Sequence, residues 1–261
     1  MVPDSLTRPT DAPGFRGFPA GAGAGVALHS LLEGFDFQRV NDADLPVIVR
    51  RTLAAHALLG AEEVAKRRVE DVTTMLRRLV SAPIPGAGFA LDRVPLDAGM
   101  REWRFDLSVE RFSAQRFAGA LAAFGSPHAH AYAPLLGTLD DSAFAGYLSG
   151  FLDLAFEHEG RWWVLDWKSN WLGAEDEDYA PEALDAAMRE AHYTFQYHLY
   201  LVALHRHLRA RQRDYDPARH WGGIAYVFLR GLTGQGEYGW FRDQPTPALL
   251  DALDAAIGGV T

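Results

Sequence analysis

Cysteine is absent from this 261-residue chain. That excludes a disulfide framework, a zinc–thiolate centre and a thiol nucleophile, and it fits a reducing, cytoplasmic compartment. Basic charge is also short: 25 Lys and Arg stand against 34 Asp and Glu, a formal charge of −9. A stand-alone nucleic-acid binder normally carries a basic excess. Contact with DNA therefore requires a local groove, or a partner that delivers the strand. No apolar run reaches the length of a membrane span, and no signal-peptide core opens the chain, so no membrane association is expected. The GxxxxGK[ST] pattern is missing, and the "GAGAG" at 21–25 has neither the preceding strand nor the spacing of a dinucleotide fingerprint. This chain offers no nucleotide site. No serine sits in a nucleophile elbow, which removes triad hydrolysis. Lysine is the rarest charge: only Lys66 and Lys168 occur, and the other 23 basic residues are arginine.

What is present is apolar and patterned. Hydrophobic residues make up 48% of the chain and aromatics 12%, which supports a real core and argues against disorder. Residues 1–26 are rich in Pro and Gly and read as a flexible lead-in or linker, leaving 27–261 as the folded domain. From Ala27 the periodicity turns helical, with Leu28, Leu31 and Leu32 on one side. Helices are predicted over about 43–59 and 61–80, the second with Val64, Val72, Met75, Leu76 and Leu79 opposite Lys66, Arg67, Arg68 and Arg77. "REWRFDLSV" alternates: Trp103, Phe105, Leu107 and Val109 face one way, and Glu102, Arg104 and Asp106 the other, as in a half-buried strand. A short helix over about 113–123 and a loop with His128 and His130 follow. "YLSGFLDLAFEHEGRWWVLDWKSN" reads as strand, turn at "HEGR", strand. A long helix over about 181–212, an apolar strand at "WGGIAYVFLRG" and a last helix over about 246–257 complete the pattern. Helices before, between and after strands give an α/β class with a mixed sheet.

Asp153, Asp166 and Lys168 carry the chemistry. Residues two apart on a strand share a face, so Asp166 and Lys168 point one way and Trp167 the other. With a turn near residue 159, the antiparallel partner of Asp153 falls around 165–167, and the two carboxylates converge. Paired carboxylates repel unless a cation lies between them. Hard oxygen ligands without cysteine suit Mg²⁺ or Mn²⁺, which would polarise a phosphoryl oxygen and acidify water. A compact ammonium alongside can orient the attacking water and stabilise developing charge. It can also lose its proton, which arginine effectively cannot. D-x-K alone is more often a surface ion pair. The flanking "GFLD" and "WWVL" alter the balance, because a buried strand end seldom holds three charges without a use.

Read in order, "GFLD", "VLDWKSN" and "QYHLY" resemble the PD-(D/E)xK nuclease superfamily, and within it the RecB-type nuclease domain. The resemblance is dense from "GYLSGFLDLAFEHEGRWWVLDWKSNWLG" through "QYHLYLVALHRHLR" to "HWGGIAYVFLRG", and resumes upstream at "FPAGAGAGVALHSLLEGFDF". It implies a restriction-endonuclease-like core with a mixed central β-sheet flanked by helices. It implies metal-binding carboxylates at Asp153 and Asp166, a catalytic Lys168, and His29 as a helix histidine reaching the metal. Glu102 resembles a further acidic residue of the site, although Asp106 and Glu110 share its face. Gln196 and Tyr200 match a Q-x(3)-Y element, stacked one turn apart, contacting DNA or bracing the catalytic strand; packing of Tyr200 with Tyr193 and Tyr197 is the competing explanation. The same resemblance implies a Mg²⁺-dependent deoxyribonuclease acting on single-stranded DNA in double-strand-break processing, with RecC-like and RecD-like subunits and RecA as partners. RecB itself also has a helicase, so this chain is expected to be an excised nuclease domain or a short gene product. Two alternatives stand beside this: a non-catalytic module that recruits RecA or partner subunits, and an RNA nuclease on the same fold. His205 and His207, two apart on a helix, cannot share a metal. The acidic "EDED" at 175–178 reads as a solvated cap.

Overall fold

Why the middle of the chain becomes an antiparallel ladder is settled at its turn. Glu159 and Gly160 both take positive φ, 51° and 76°, the conformation that a two-residue hairpin needs to match strand twist. β2 (Phe144–His158) therefore folds back directly into β3 (Arg161–Lys168). β1 (Gly99–Phe112) pairs antiparallel with the other edge of β2. The computed structural model describes residues 12–138 and 144–258.

β4 (Trp221–Phe228) and β5 (Trp240–Asp243) complete a mixed five-stranded sheet in the order β1-β2-β3-β4-β5. Every residue of β4 is buried, which accounts for its unbroken apolar run. Its first glycines are required by a close approach. A Cβ at Gly222 would lie 2.2 Å from the Trp163 ring.

The helices are α1 (Ala22–Gly34), α2 (Leu45–Ala55), α3 (Glu62–Ser81), α4 (Ala114–Phe124), α5 (Pro127–Gly137), α6 (Pro181–Glu190), α7 (Tyr193–Arg211), the single-turn α8 (Pro217–His220) and α9 (Pro247–Ala256). Ser113, Ser126 and Thr246 each cap the helix that follows by accepting a backbone N–H.

Three expectations need correction. The helix expected over 181–212 is two. His192 adopts φ 56° and accepts or donates through Nδ1 to the Tyr132 hydroxyl at 2.8 Å, a tertiary contact that periodicity cannot register. His128 and His130 lie in α5, not a loop, and His128 Nδ1 is 2.8 Å from Asp185 Oδ1. The lead-in expected over 1–26 is structured where it is described: α1 starts at Ala22, and Phe15 and Phe18 are buried. Two aromatic anchors outweigh the local Gly and Pro content. Residues 1–11 of that segment lie outside the described residues.

The chain forms two compact units. The first contains the described parts of Met1–Ala98, with Trp167–Leu184 and Tyr226–Phe241; the second contains the described parts of Gly99–Asp166, Asp185–Ala225 and Arg242–Thr261. In the first, Leu28, Leu31 and Leu32 of α1 are buried, as are Val72, Met75, Leu76 and Leu79 of α3. There Trp167 is buried and meets Phe37 edge to face, ring centres 6.4 Å apart. In the second, the inward side of β1 (Phe105, Leu107, Val109) is buried, and Phe105 meets Tyr200 of α7 at 5.7 Å.

Candidate active site

Strand register brings the acidic residues of the second unit into one row. In the β1–β2 ladder, Arg101 faces Leu154 and Trp103 faces Leu152. Glu102 thus stands opposite Asp153. The β2–β3 ladder runs to Leu154 facing Leu165. One step further along sets Asp153 opposite Asp166. Cross-strand neighbours share a face, so Glu102, Asp153 and Asp166 lie on one face of the three strands. Carboxylate oxygens of Glu102 and Asp153 lie within 4.8 Å of each other.

Glu102 holds φ 45°, a left-handed conformation in the middle of a strand. A non-glycine residue there costs about 1–3 kcal/mol, and such strain concentrates at functional positions. Of the acidic residues on this side of β1, Asp106 is engaged elsewhere: it pairs with Arg104 and accepts from Ser149, in the open. The side chain of Glu110 lies outside the described residues. The register therefore singles out Glu102.

Burial grades along the row. Asp166 is 1% exposed and Asp153 8%, whereas Glu102 is half-buried. The hydroxyl of Tyr200 donates to Asp166 Oδ2 at 3.2 Å. Burial, and then the charges of Asp166, Asp153 and Glu102, hold that hydroxyl far above the usual phenol range. It stays protonated, a fixed donor toward the acidic row. The sequence left Tyr200 between packing and bracing. It does both, with its ring on Phe105 and its hydroxyl on Asp166. Tyr197 instead donates to Asp243 Oδ2 at 2.6 Å, and Gln196 is half-buried one turn before Tyr200.

His29 and Lys168 belong to the first unit. His29 is half-exposed on α1. Lys168 ends β3, half-exposed, with Nζ 4.9 Å from the ring centre of the buried Tyr226 on β4. The negative ring face attracts the ammonium.

Along β1 and β2 the acidic row's face continues outward. Arg104 faces Phe151, Asp106 faces Ser149, and Ser108 faces Tyr147. Phe151 and Tyr147 are 56% and 69% exposed. Parity with Asp153 along β2 is the one sequence signal for this aromatic pair, which no motif marks.

Crowded, partly buried carboxylates are unstable without a positive charge among them. Hard oxygen donors such as the neighbouring carboxylates of Glu102 and Asp153 suit a divalent cation of the Mg²⁺ or Mn²⁺ type, and Asp166 lies on the same face with its carboxylate held by Tyr200.

Comparison with known proteins gives the chain a family. Residues 17–257 match the PD-(D/E)XK nuclease superfamily, and the chain belongs to it. Among the curated proteins the chain resembles are RecB subunits of the RecBCD enzyme. That of Escherichia coli is 36% identical over 246 residues, covering 94% of this chain and 20% of the relative. That of Haemophilus influenzae is 32% identical over 241 residues, 92% of this chain and 19% of the relative. That of Mycobacterium tuberculosis is 44% identical over 132 residues, 47% of this chain and 12% of the relative. The chain spans about a fifth of the length of the first two. Among the described residues, no helix is long and apolar enough to cross a membrane.

Proposed function

We propose that this chain is the nuclease part of a RecB-like helicase–nuclease, a divalent-metal-dependent deoxyribonuclease that hydrolyses phosphodiester bonds while broken DNA ends are processed. The observation that supports this best is the cross-strand row Glu102–Asp153–Asp166 with the Tyr200 hydroxyl on Asp166. Asp153 and Asp166 would hold Mg²⁺ or Mn²⁺, with Glu102 and His29 as further ligands. A bound Mg²⁺ supplies Lewis-acid stabilisation of charge on the phosphate and a more acidic water.

The chain's own residues do the rest. Tyr200 fixes the Asp166 rotamer and keeps its own proton, so it takes no part in proton transfer. Lys168 offers three donors on a compact charge, able to orient the attacking water and bind the oxygen on which charge develops. Its stem is held by β3 and its ammonium rests against the Tyr226 face, so few rotamers remain to be lost in the transition state.

Single-stranded DNA is the proposed substrate. Phe151 and Tyr147 present exposed ring faces on the acidic row's side of β2, and bases stack on such platforms with little sequence preference. The net charge of −9 opposes tight independent binding, so delivery by a helicase and by RecC-like and RecD-like subunits belongs to the same proposal. RecA would be a recipient of the processed strand.

The deciding experiment compares the wild-type chain with Asp166→Asn on a labelled oligonucleotide, in Mg²⁺ and in EDTA. Wild-type cleavage that needs Mg²⁺ and vanishes in the variant is expected. Full activity in the variant would end the assignment.

A further inference from the structure

The apolar run of β4 ends in "FLRG", and the proposed chemistry makes no use of its arginine. Arg230 is only 2% exposed. Its guanidinium donates to four backbone carbonyls: Nε to Ser169 O at 2.8 Å, Nη1 to Arg16 O and Phe18 O at 2.7 Å each, and Nη2 to Pro19 O at 2.8 Å. Phe15 and Trp171 lie against it, ring centres 5.8 and 6.0 Å away. The segment 15–19 is bound from its own side as well. Arg16 donates to Arg230 O and to Ala174 O, and pairs with Asp176. Phe15 stacks on Phe18, ring centres 5.2 Å apart, and both are buried.

Burying a guanidinium is costly, and here carbonyl dipoles on several sides compensate it. The arrangement has a clear mechanical consequence. Ser169 is the residue after Lys168. Its carbonyl is held from the turn just after β4, while the lysine ammonium lies over Tyr226 of that strand. β4 and the turn that follows it therefore hold Lys168 at its head, through Tyr226, and at its backbone exit, through Arg230, and Arg230 makes the backbone hold conditional on the 15–19 segment.

We propose that Arg230 is a positioning residue for Lys168, and that the Phe15–Pro19 segment is the strap against which it works. This rests on the nuclease reading of Lys168 given above. Lysine cannot substitute, because a point ammonium with three donors cannot reach carbonyls arrayed around a planar fork.

The test uses the full chain with Arg230→Lys and, separately, Phe18→Ala, which loosens the strap without touching the buried charge. Three quantities are measured: kcat and KM on a single-stranded oligonucleotide in Mg²⁺, Mn²⁺ affinity by calorimetry, and backbone hydrogen exchange. In both variants kcat should fall about 10- to 100-fold, the order expected for ångström-scale misplacement of a catalytic group. KM and Mn²⁺ affinity should hold, because the acidic row is untouched. Exchange should rise in 15–19 and 169–174 and not in α7. If Arg230→Lys does not fold, Phe18→Ala decides alone. Wild-type kcat in a folded variant overturns the proposal. So does a loss of Mn²⁺ binding or α7 protection in parallel with kcat, which would mean general destabilisation. A wild-type chain without metal-dependent cleavage would overturn the nuclease reading instead, and the exchange pattern would still report whether Arg230 seats the residue after Lys168.

Discussion

Replacing Glu102 by Gln should make the metal-free protein more stable while impairing it as an enzyme. Glu102 and Asp153 bring carboxylate oxygens within 4.8 Å. Two unit charges at that separation repel by about 3 kcal/mol at an effective dielectric constant near 20, and by about 1 kcal/mol in bulk water. Glu102 is half-exposed, so the lower part of that range applies. The variant keeps the shape and removes the charge, and a gain of about 1–2 kcal/mol in EDTA is expected. That corresponds to a rise in melting temperature of about 2–4 °C per kcal/mol. In 1 M NaCl the gain should shrink, because partly exposed charges are screened. Added Mg²⁺ should reverse the order: the wild type gains about 2.7 kcal/mol at 100 times its dissociation constant, and the variant, a ligand short, gains less at the same concentration. Thermal melts across a Mg²⁺ series, with cleavage assays on the same samples, read all three effects. A variant no more stable than wild type in EDTA, and stabilised by Mg²⁺ to the same degree, would refute the idea that these carboxylates form one ion-binding row.

Further outcomes follow from the same geometry. Tyr200→Phe keeps the ring against Phe105 and removes the donor to buried Asp166; a stability loss of about 1–3 kcal/mol is expected, with weaker Mn²⁺ binding by calorimetry, and unchanged Mn²⁺ affinity would deny the bracing role. Lys168→Met should abolish turnover while leaving Mn²⁺ affinity near wild type; lost metal binding would show that lysine shapes the site rather than the chemistry. Phe151→Ala should raise KM for single-stranded oligonucleotides about 5- to 150-fold, the equivalent of about 1–3 kcal/mol per stacked base, with kcat retained; Phe151→Trp should rescue it, and rescue by Leu would point to an apolar protein partner instead. His198 is fully buried, and burial depresses its pKa to about 4. The unfolded chain therefore takes up the proton first. Stability is whole above about pH 6.5 and falls as pH drops toward 4, by about 3 kcal/mol in all. Denaturation at pH 7.5 and 5 should show this slope, and His198→Gln should flatten it to the part left by His205 and His207, whose pKa values burial also lowers.

Glu102 and Arg230 mark where reading the sequence stops being sufficient. Alternation places Glu102, Asp106 and Glu110 on one side of β1 with equal claim. Only the β1–β2 register, with the positive φ at Glu102, distinguishes the first from Asp106. For Asp153 and Asp166 the hairpin is short, and a two-residue turn leaves one antiparallel register open. Spacing alone therefore sets the register in which they oppose each other, and the ladder runs in that register as far as Leu154 and Leu165. Tyr200 was legible as a member of a motif but not as a donor to Asp166, because which of several tyrosines on α7 meets β3 depends on helix rotation against the sheet.

The sequence by itself determined the strands, the hairpin, most helices and the acidic residues, because periodicity and turn chemistry are local and each side chain's parity along a strand follows from the chain alone. Tertiary structure alone decided what local composition misrepresents. A Gly- and Pro-rich start is held as a strap by two buried phenylalanines and a buried arginine more than two hundred residues away, and a continuous helical pattern is broken at His192 where Tyr132 meets it. Both outcomes are long-range contacts whose free energy exceeds the local preference of the segment they act on, and no window of neighbouring residues contains their partners.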